Sequence, residues 1–530
     1  MKMTLQKIMV AAVVAIFLSL AGPSAEMKSE GAEDPGEGFT VPDKANYTDL
    51  GWAEAFSAAN GKLSREYAFT DWKRVDWSAL SARYLPLIEQ AEASHDEIAY
   101  YRALHEYLFS IPDGHVSLTA SDSSIPLSIS RELIGGGYGL AVAETDDHRV
   151  IVAAVIQDGP ASRSGVVTGA EIASWGGLPA GEAIGRIDIG KVPYRALTGE
   201  ISPNVESSIA TTGHYRLEQA RLLVRAPAGA VTEVVFRKPG STKFQRVNLV
   251  AEDDGGKTYS LLNFAVRPEF TDKVDFRILP EGYGYLHLRA FIDLNDMSAY
   301  PETIYERIRE AITSFVAAGV PGVIIDLRGN YGGFDQLAAD LCGFFTPSET
   351  FFESQVMYDK RDGTFLYLGD LAITPQEPCF DGPVAVLVNP GTKSSGEGPP
   401  AFFSKRASSC VIGFHGTNGS FGLAGGEIVM PGGYTIKYPY GRSLGQDGQI
   451  QIDSRDGVGG VAPGSRIPKT VPNLLAYAAG EDVELDYAID FLRGQTASTG
   501  RNGGCQAASV PGLGMLLLPL VLLISVGKGA

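Results

Sequence analysis

The sequence predicts a multidomain α/β protein, and three observations carry that expectation. The chain has 530 residues, enough for about three domains at ~150 residues each. Its composition, 44% apolar and 20% charged, is that of a folded globular protein. Its second half alternates strand-like and helix-like segments, whereas its first half is helical and then strand-rich. The formal net charge of −18, with no basic stripe, repels phosphate backbones and excludes a nucleic-acid partner.

The N-terminus reads as a secretory signal over 1–25. Lys2 and Lys7 precede an apolar run over 8–20, and Pro23-Ser24-Ala25 offers small residues for cleavage before Glu26. An uncleaved anchor is the alternative. Residues 26–40 have the composition of a flexible leader. At the other end, 493–530 reads as a linker and an apolar tail, in which Gly503-Gly504-Cys505 leads into the run 513–526 and then Lys528. This layout resembles bacterial C-terminal sorting signals. It implies export to the periplasm or cell surface, with membrane attachment through the tail; a plain tail anchor is the alternative. Removing 500–530 is expected to release the chain without unfolding it. The cysteines show no CxxC or Cys/His spacing, so no metal is expected; an oxidising compartment allows one disulfide among Cys342, Cys379 and Cys410.

Residues 41–118 form the first predicted domain, a helical bundle. Leu80, Leu85, Leu87 and Ile88, then Ile98, Tyr101, Leu104 and Leu108, recur at helical spacing, with Trp52, Trp72 and Trp77 as bulk. Ile111-Pro112-Asp113-Gly114 is a turn signal that closes it.

Residues 133–252 read as a β domain. Gly136-Gly137-Tyr138-Gly139-Leu140 is followed by strand patterns at 140–142 and 150–155, a short helix from Pro160, the turn Gly169-Ala170-Glu171-Ile172, and closing strands at 231–237 and 244–249. In this order the segments resemble a PDZ domain carrying an insertion over 186–222. The resemblance implies that Gly137, Tyr138, Gly139 and Leu140 receive the carboxylate of a peptide C-terminus through converging backbone amides. Deleting the domain is then expected to alter substrate choice more than reactivity.

Residues 256–492 form the predicted α/β core. Strands are expected at 283–288, 320–327 and 383–388, and helices at 304–318 and 336–345. The strand 383–388 ends at Asn389-Pro390-Gly391-Thr392-Lys393-Ser394-Ser395-Gly396-Glu397. A serine just past such a turn is exposed at the carboxyl end of a sheet, next to a backbone N–H suited to an oxyanion.

These residues are similar to the Thr-x-Ser-x-x-Glu signature of peptidase family S41, the tail-specific and tricorn-like serine peptidases. Ile325-Asp326-Leu327-Arg328-Gly329-Asn330-Tyr331-Gly332-Gly333 resembles a second motif of that family, and Gly457-Val458-Gly459-Gly460-Val461-Ala462-Pro463 a late glycine-rich one. The resemblance implies a ClpP/crotonase-like core with Ser394 as nucleophile. Gly332 or Gly333, together with Ser395, then supplies the oxyanion hole, and no cofactor is needed. Asp326 and Arg328 are read as a structural ion pair.

The base is the open point. The position where the Ser-Lys branch keeps its lysine falls on Gly419, and Lys393 is expected to point away from its neighbour Ser394. Among seven histidines, His115 stands in Asp113-Gly114-His115-Val116, which resembles the Asp-Gly-His motif of the Ser-His members. His415, in a glycine-rich loop, competes with it. Asp456 is the candidate third member, and Glu397 is either an acid or an anchor for the helix start. Activity is expected to fall below roughly pH 6–7 as the histidine protonates. The reading is an exported serine endopeptidase acting on peptide or protein substrates. Its rival is a catalytically decayed peptide-binding scaffold of the cell envelope.

Overall fold

The structure, a computed structural model, describes residues 39–198, 204–265, 273–293 and 299–498. The signal-like segment and the apolar tail lie outside them. Among the described residues, no helix is long and apolar enough to cross a membrane, and no group of side chains could hold a metal ion.

The core is a six-stranded sheet in the order Val274–Ile278, Gly284–Leu288, Val323–Asp326, Val384–Leu387, Ser409–Gly413, Ser465–Arg466. The first pair is antiparallel and the others are parallel. Both faces are covered, which is why the strands read as continuous apolar runs. Val323, Ile325, Val384 and Val386 pack under the helices Glu302–Ala318 and Asp335–Gly343. Ile324, Ala385 and Leu387, one residue out of phase, face Leu474, Ala488, Ile489 and Leu492 of the two C-terminal helices. The expected strands and helices of this core are present, with ends trimmed by one to three residues at most positions.

The helical start is not a self-contained bundle. Trp52–Glu66, Trp77–Ser94 and Glu97–Phe109 share one hydrophobic cluster with Ile428, Met430, Tyr434, Ile436 and Tyr438 of the hairpin Leu423–Met430/Tyr434–Leu444. The apolar stripes of three short helices leave one side uncovered, and a sheet from the far end of the sequence closes it. That sheet also takes in Ser117–Ala120, just beyond His115, and Val205–Ser207 of the insertion. Residues separated by hundreds of positions are thereby held in one sheet.

The strand-rich region forms a second sheet in the order Phe244–Val250, Val231–Arg237, Glu171–Trp175, Val150–Val155, Leu140–Glu144. Ala141, Ala143, Ile151 and Ala153 of this sheet pack against the C-terminal helices of the core. Cys342, Cys379 and Cys410 form no disulfide with one another, although an oxidising compartment would allow one. Cys342 belongs to the cluster on one face of the core sheet and Cys410 to the cluster on the other, so the sheet itself separates that pair.

Candidate active site

The site is built where two adjacent parallel strands end. Beyond Val384–Leu387, the Asn389 carboxamide oxygen accepts from Gly391 N (3.0 Å) and from Gly329 N (2.9 Å) in the loop after Val323–Asp326. Thr392 Oγ1 donates to Leu327 O at 2.7 Å, and Lys393 N to Asn330 O at 2.8 Å. The first of these bonds closes its own turn, and the other three hold the two loops together. Under them Arg328, 1% exposed, donates to Asp326 (Nε to Oδ1, 2.9 Å), Asp482 (2.6 Å) and Glu484 (2.8 Å), while Tyr285 OH donates to Asp326 Oδ2 at 2.7 Å. The Asp326–Arg328 pair is thus a buried structural pair, as expected.

Ser394 opens a short 3₁₀ turn, Ser394–Glu397, with φ at +57°, a left-handed conformation that non-glycine residues adopt only where the surroundings impose it. Ser394 N donates to Ser420 O at 3.0 Å. Gly332 lies against it. A Cβ on Gly332 would stand 2.5 Å from Ser394 Cβ and 3.0 Å from Lys393 O, at a φ of +94°. The Gly332 amide donates to Asn330 Oδ1 at 2.9 Å, so of the two expected oxyanion donors it is already engaged. Gly333 bridges Phe291 through its chain neighbours, Phe291 N to Gly332 O and Phe334 N to Phe291 O, which turns its own amide to the other side. On that side its carbonyl accepts Ser395 Oγ at 2.8 Å. Ser395 Oγ thus ties Gly333 to the residue that follows Ser394.

His115 is brought to this turn by its own backbone. Gly114 N donates to Ser420 Oγ at 2.8 Å, and Gly114 O accepts from Lys393 Nζ at 3.2 Å. A Cβ at position 114 would stand 2.5 Å from Asn418 Oδ1 and 3.0 Å from Ser420 Oγ, so the glycine allows this close approach. The imidazole is 8% exposed, and neither ring nitrogen has a hydrogen-bond partner among the described residues. Its Nδ1 lies 3.8 Å from Asp113 Oδ1. Burial first, and then the Lys393 cation, push its pKa down to about 3. Burial opposes the charge of Asp113, but Lys73, His115 and a 2.8 Å bond from Tyr67 OH hold that carboxyl below its usual range.

Several expectations are corrected here. Lys393 Nζ is taken up by the Gly114 carbonyl, and burial lowers its pKa to about 8. His415 sits edge-on to Phe264, and its charged surroundings are Lys469, His214, Arg466 and Asp146, not the nucleophile turn. Asp456 is on the surface, 59% exposed in its side chain and paired with Arg74 at 3.2 Å. The inward-facing acid of its loop is Asp453, buried, accepting from Phe421 N at 3.0 Å and lying 3.7 Å from Lys73 Nζ. Lys73 also donates to Pro112 O and Ser454 Oγ. It thereby links the Asp113 and Asp453 segments, a role for which the sequence held no signal. Glu397 is not exposed as a helix-start anchor. It accepts from Thr417 Oγ1, Gly419 N (2.7 Å) and Ser420 N (2.9 Å), and burial raises its pKa to about 7.

The loop Gly137–Leu140 is also corrected as a carboxylate site. Gly136–Gly137 is the central strand of a three-stranded sheet, Tyr138 N donates to Val224 O, and Gly139 N donates to Thr258 Oγ1. Beside the edge strand Leu140–Glu144, the helix Thr212–Leu223 is clamped by Arg216, which donates to both Glu144 oxygens at 2.7 and 2.6 Å. The amides that would receive a peptide carboxylate are occupied by the chain itself.

Comparison with known proteins agrees with this geometry. Residues 282–464 match the model of peptidase family S41. The chain is 24% identical over 341 residues to a carboxyl-terminal-processing protease of Picosynechococcus sp., covering 63% of this chain and 65% of that protein. It is 32% identical over 102 residues to the corresponding protease of Synechocystis sp., covering 19% of this chain and 22% of that one. The chain thus spans less than two thirds of either curated relative. The family match and these relatives support a serine peptidase hydrolase. In fold the chain is similar to mature CPAF (TM-score 0.58, 15% identity, 86% of this chain and 99% of that one) and to CPAF complexed with lactacystin (TM-score 0.55, 14% identity, 84% and 99%). Residues 282–464, which carry Ser394 and both of its flanking motifs, are thus the part of the chain similar to peptidase family S41.

Proposed function

We propose that this chain is a serine peptidase in which Ser394 attacks a peptide carbonyl and His115 takes its proton. The observation that carries this reading is the docking of the Asp113-Gly114-His115 turn on the nucleophile turn through Gly114 N–Ser420 Oγ and Lys393 Nζ–Gly114 O. Those bonds are long-range, and they support pairing a base and a nucleophile from segments that the sequence holds far apart. In the reaction His115 returns the proton to the leaving amine, and water then resolves the acyl-enzyme. The amides of Gly333 and Ser395 hold the oxyanion, while Gly332 contributes close approach. Asp113 is the carboxylate nearest the imidazole. Substrates are peptides or proteins, and the signal-like N-terminus supports a place outside the cytoplasm.

A fluorophosphonate probe tests the reading directly. Mass spectrometry of the labelled protein should find the adduct on Ser394. A folded chain that takes no label would favour the peptide-binding scaffold instead.

Two further results are expected. Gly332→Ala should lower activity by about 10²-fold or more, because the new methyl displaces Ser394 from the oxyanion donors. Circular dichroism should stay native, since the site lies at the end of the strands. Among the acids, Asp113→Asn should cost at least about tenfold in kcat through loss of the charge beside the imidazole. Asp456→Asn should leave kcat within a factor of about two, as expected for an exposed ion pair. Equal losses in both variants would contradict the placement of these side chains.

A further inference from the structure

The residue before the nucleophile takes no chemical step in the peptidase reading. Lys393 extends from the nucleophile turn into the interior and donates to the Gly114 carbonyl, one peptide unit from His115. Its charge falls on His115, on His214 of the helix Thr212–Leu223 and on Asp113. Glu397 of its own turn and Arg195 of the short helix Arg195–Thr198 are the other charged groups that face it. Around the imidazole the charged groups are Lys393, Asp113 and Lys73.

We propose that Lys393 is a positioning residue for the Ser394–His115 pair, fastening the histidine turn to the nucleophile turn and placing a fixed cation beside the imidazole. The inference rests on the peptidase reading for its catalytic consequence, though not for its geometry. The fastening is a single-residue link between the nucleophile's own backbone and that of the base, so movement of one turn carries the other. The cation has a separate effect, because a positive charge next to an imidazole disfavours its protonated form. The base therefore stays neutral and able to accept a proton far below the ordinary histidine value of about 6.5. In exchange, the imidazolium formed during attack is less stable, which makes His115 a weaker base at neutral pH.

The two effects separate in three variants. Lys393→Gln retains a donor for Gly114 O and removes the charge. Lys393→Met removes both, and Lys393→Arg retains both. The rate of fluorophosphonate inactivation is measured against pH for each variant and for the parent chain. In the parent the acid limb should lie well below pH 6. In Gln and Met it should move up by about one pH unit or more, while Arg should stay with the parent. The plateau rate should fall about tenfold or more in Met only, where the turns are no longer linked. A second measurement is independent of activity: the ¹³C-histidine titration of His115 in the Ser394→Ala background, assigned by loss of the signal in His115→Gln. The resonance should titrate at higher pH when Lys393→Gln is added. Superimposed acid limbs and an unmoved His115 titration would overturn the proposal. Failure of the parent to label at Ser394 would instead sink the peptidase reading, and the His115 titration would still decide the role of Lys393.

Discussion

Ser394→Ala and His115→Ala are each expected to lower kcat by about 10⁴-fold or more, and the double variant to be little worse than either single one. A nucleophile and its base act as one unit, so removing the second after the first removes almost nothing further. The fold should survive both changes. The hydrogen bonds that close the nucleophile turn run through backbone atoms and through Thr392, Asn389 and Asn330, not through Ser394 Oγ. The His115 ring nitrogens likewise hold no partner among the described residues. Steady-state hydrolysis of an unstructured peptide, together with thermal unfolding of each variant, checks both points. A strictly additive double variant would mean that the two side chains act in separate steps. Full activity in Ser394→Ala would remove the family's chemistry from this chain. The sign of the pH dependence follows from the same site. His115 is held neutral to well below its ordinary range, so acidification from pH 7 to 5 should cost the parent little through the base itself.

Arg328→Leu is expected to lower stability by about 3–5 kcal/mol, well beyond the effect of any substitution at Ser394, His115 or Asp456. The guanidinium is fully enclosed and satisfies Asp326, Asp482 and Glu484 together. Removing it leaves Asp326 without its cation in the interior, a far greater penalty than the loss of an exposed pair. Urea denaturation should show a lower midpoint at an unchanged slope. Arg328→Lys should also be destabilising, since one ammonium cannot span three carboxylates with the planar fork that Arg328 uses. A partial rescue is expected from Arg328→Leu combined with Asp326→Asn, because the most deeply buried orphan charge is then gone. An Arg328→Leu chain as stable as the parent would show that the network contributes nothing net. The same pair supports the loop that reaches Asn389 and Thr392, so activity should fall with stability rather than independently of it.

Much of this protein was legible because its signals are local. Apolar runs at 320–327 and 383–388 become buried parallel strands for a reason visible in the residues themselves, since no polar face is needed when both sides are covered. The turn 389–397 carries its own instructions. Asn389, Gly391 and Thr392 close it, and Ser394 follows in a strained conformation. His115 was identifiable from the Asp-Gly-His segment, and the structure brings that segment to the nucleophile turn.

What the sequence could not decide depends on which distant surfaces meet. The strand pair Leu423–Met430/Tyr434–Leu444 covers the N-terminal helices, and nothing in either segment names the other. Asp453 and Asp456 lie three positions apart in one loop, yet one is buried beside Lys73 and the other is in solvent; only the packing of that loop against Trp72 and Phe421 separates them. The glycine loop at 137–140 has the composition of a carboxylate receptor, but its amides are taken by Val224 and Thr258 from segments far along the chain. Composition and spacing thus determined the core strands, because those depend on residues within one short segment, whereas Ser394 and His115 were singled out by the resemblance of their motifs to peptidase family S41. The free or engaged state of each backbone amide, the burial of each acid and the direction of the Lys393 side chain were decided by tertiary structure alone. Each depends on a hydrogen bond or a desolvation supplied by residues outside its own segment.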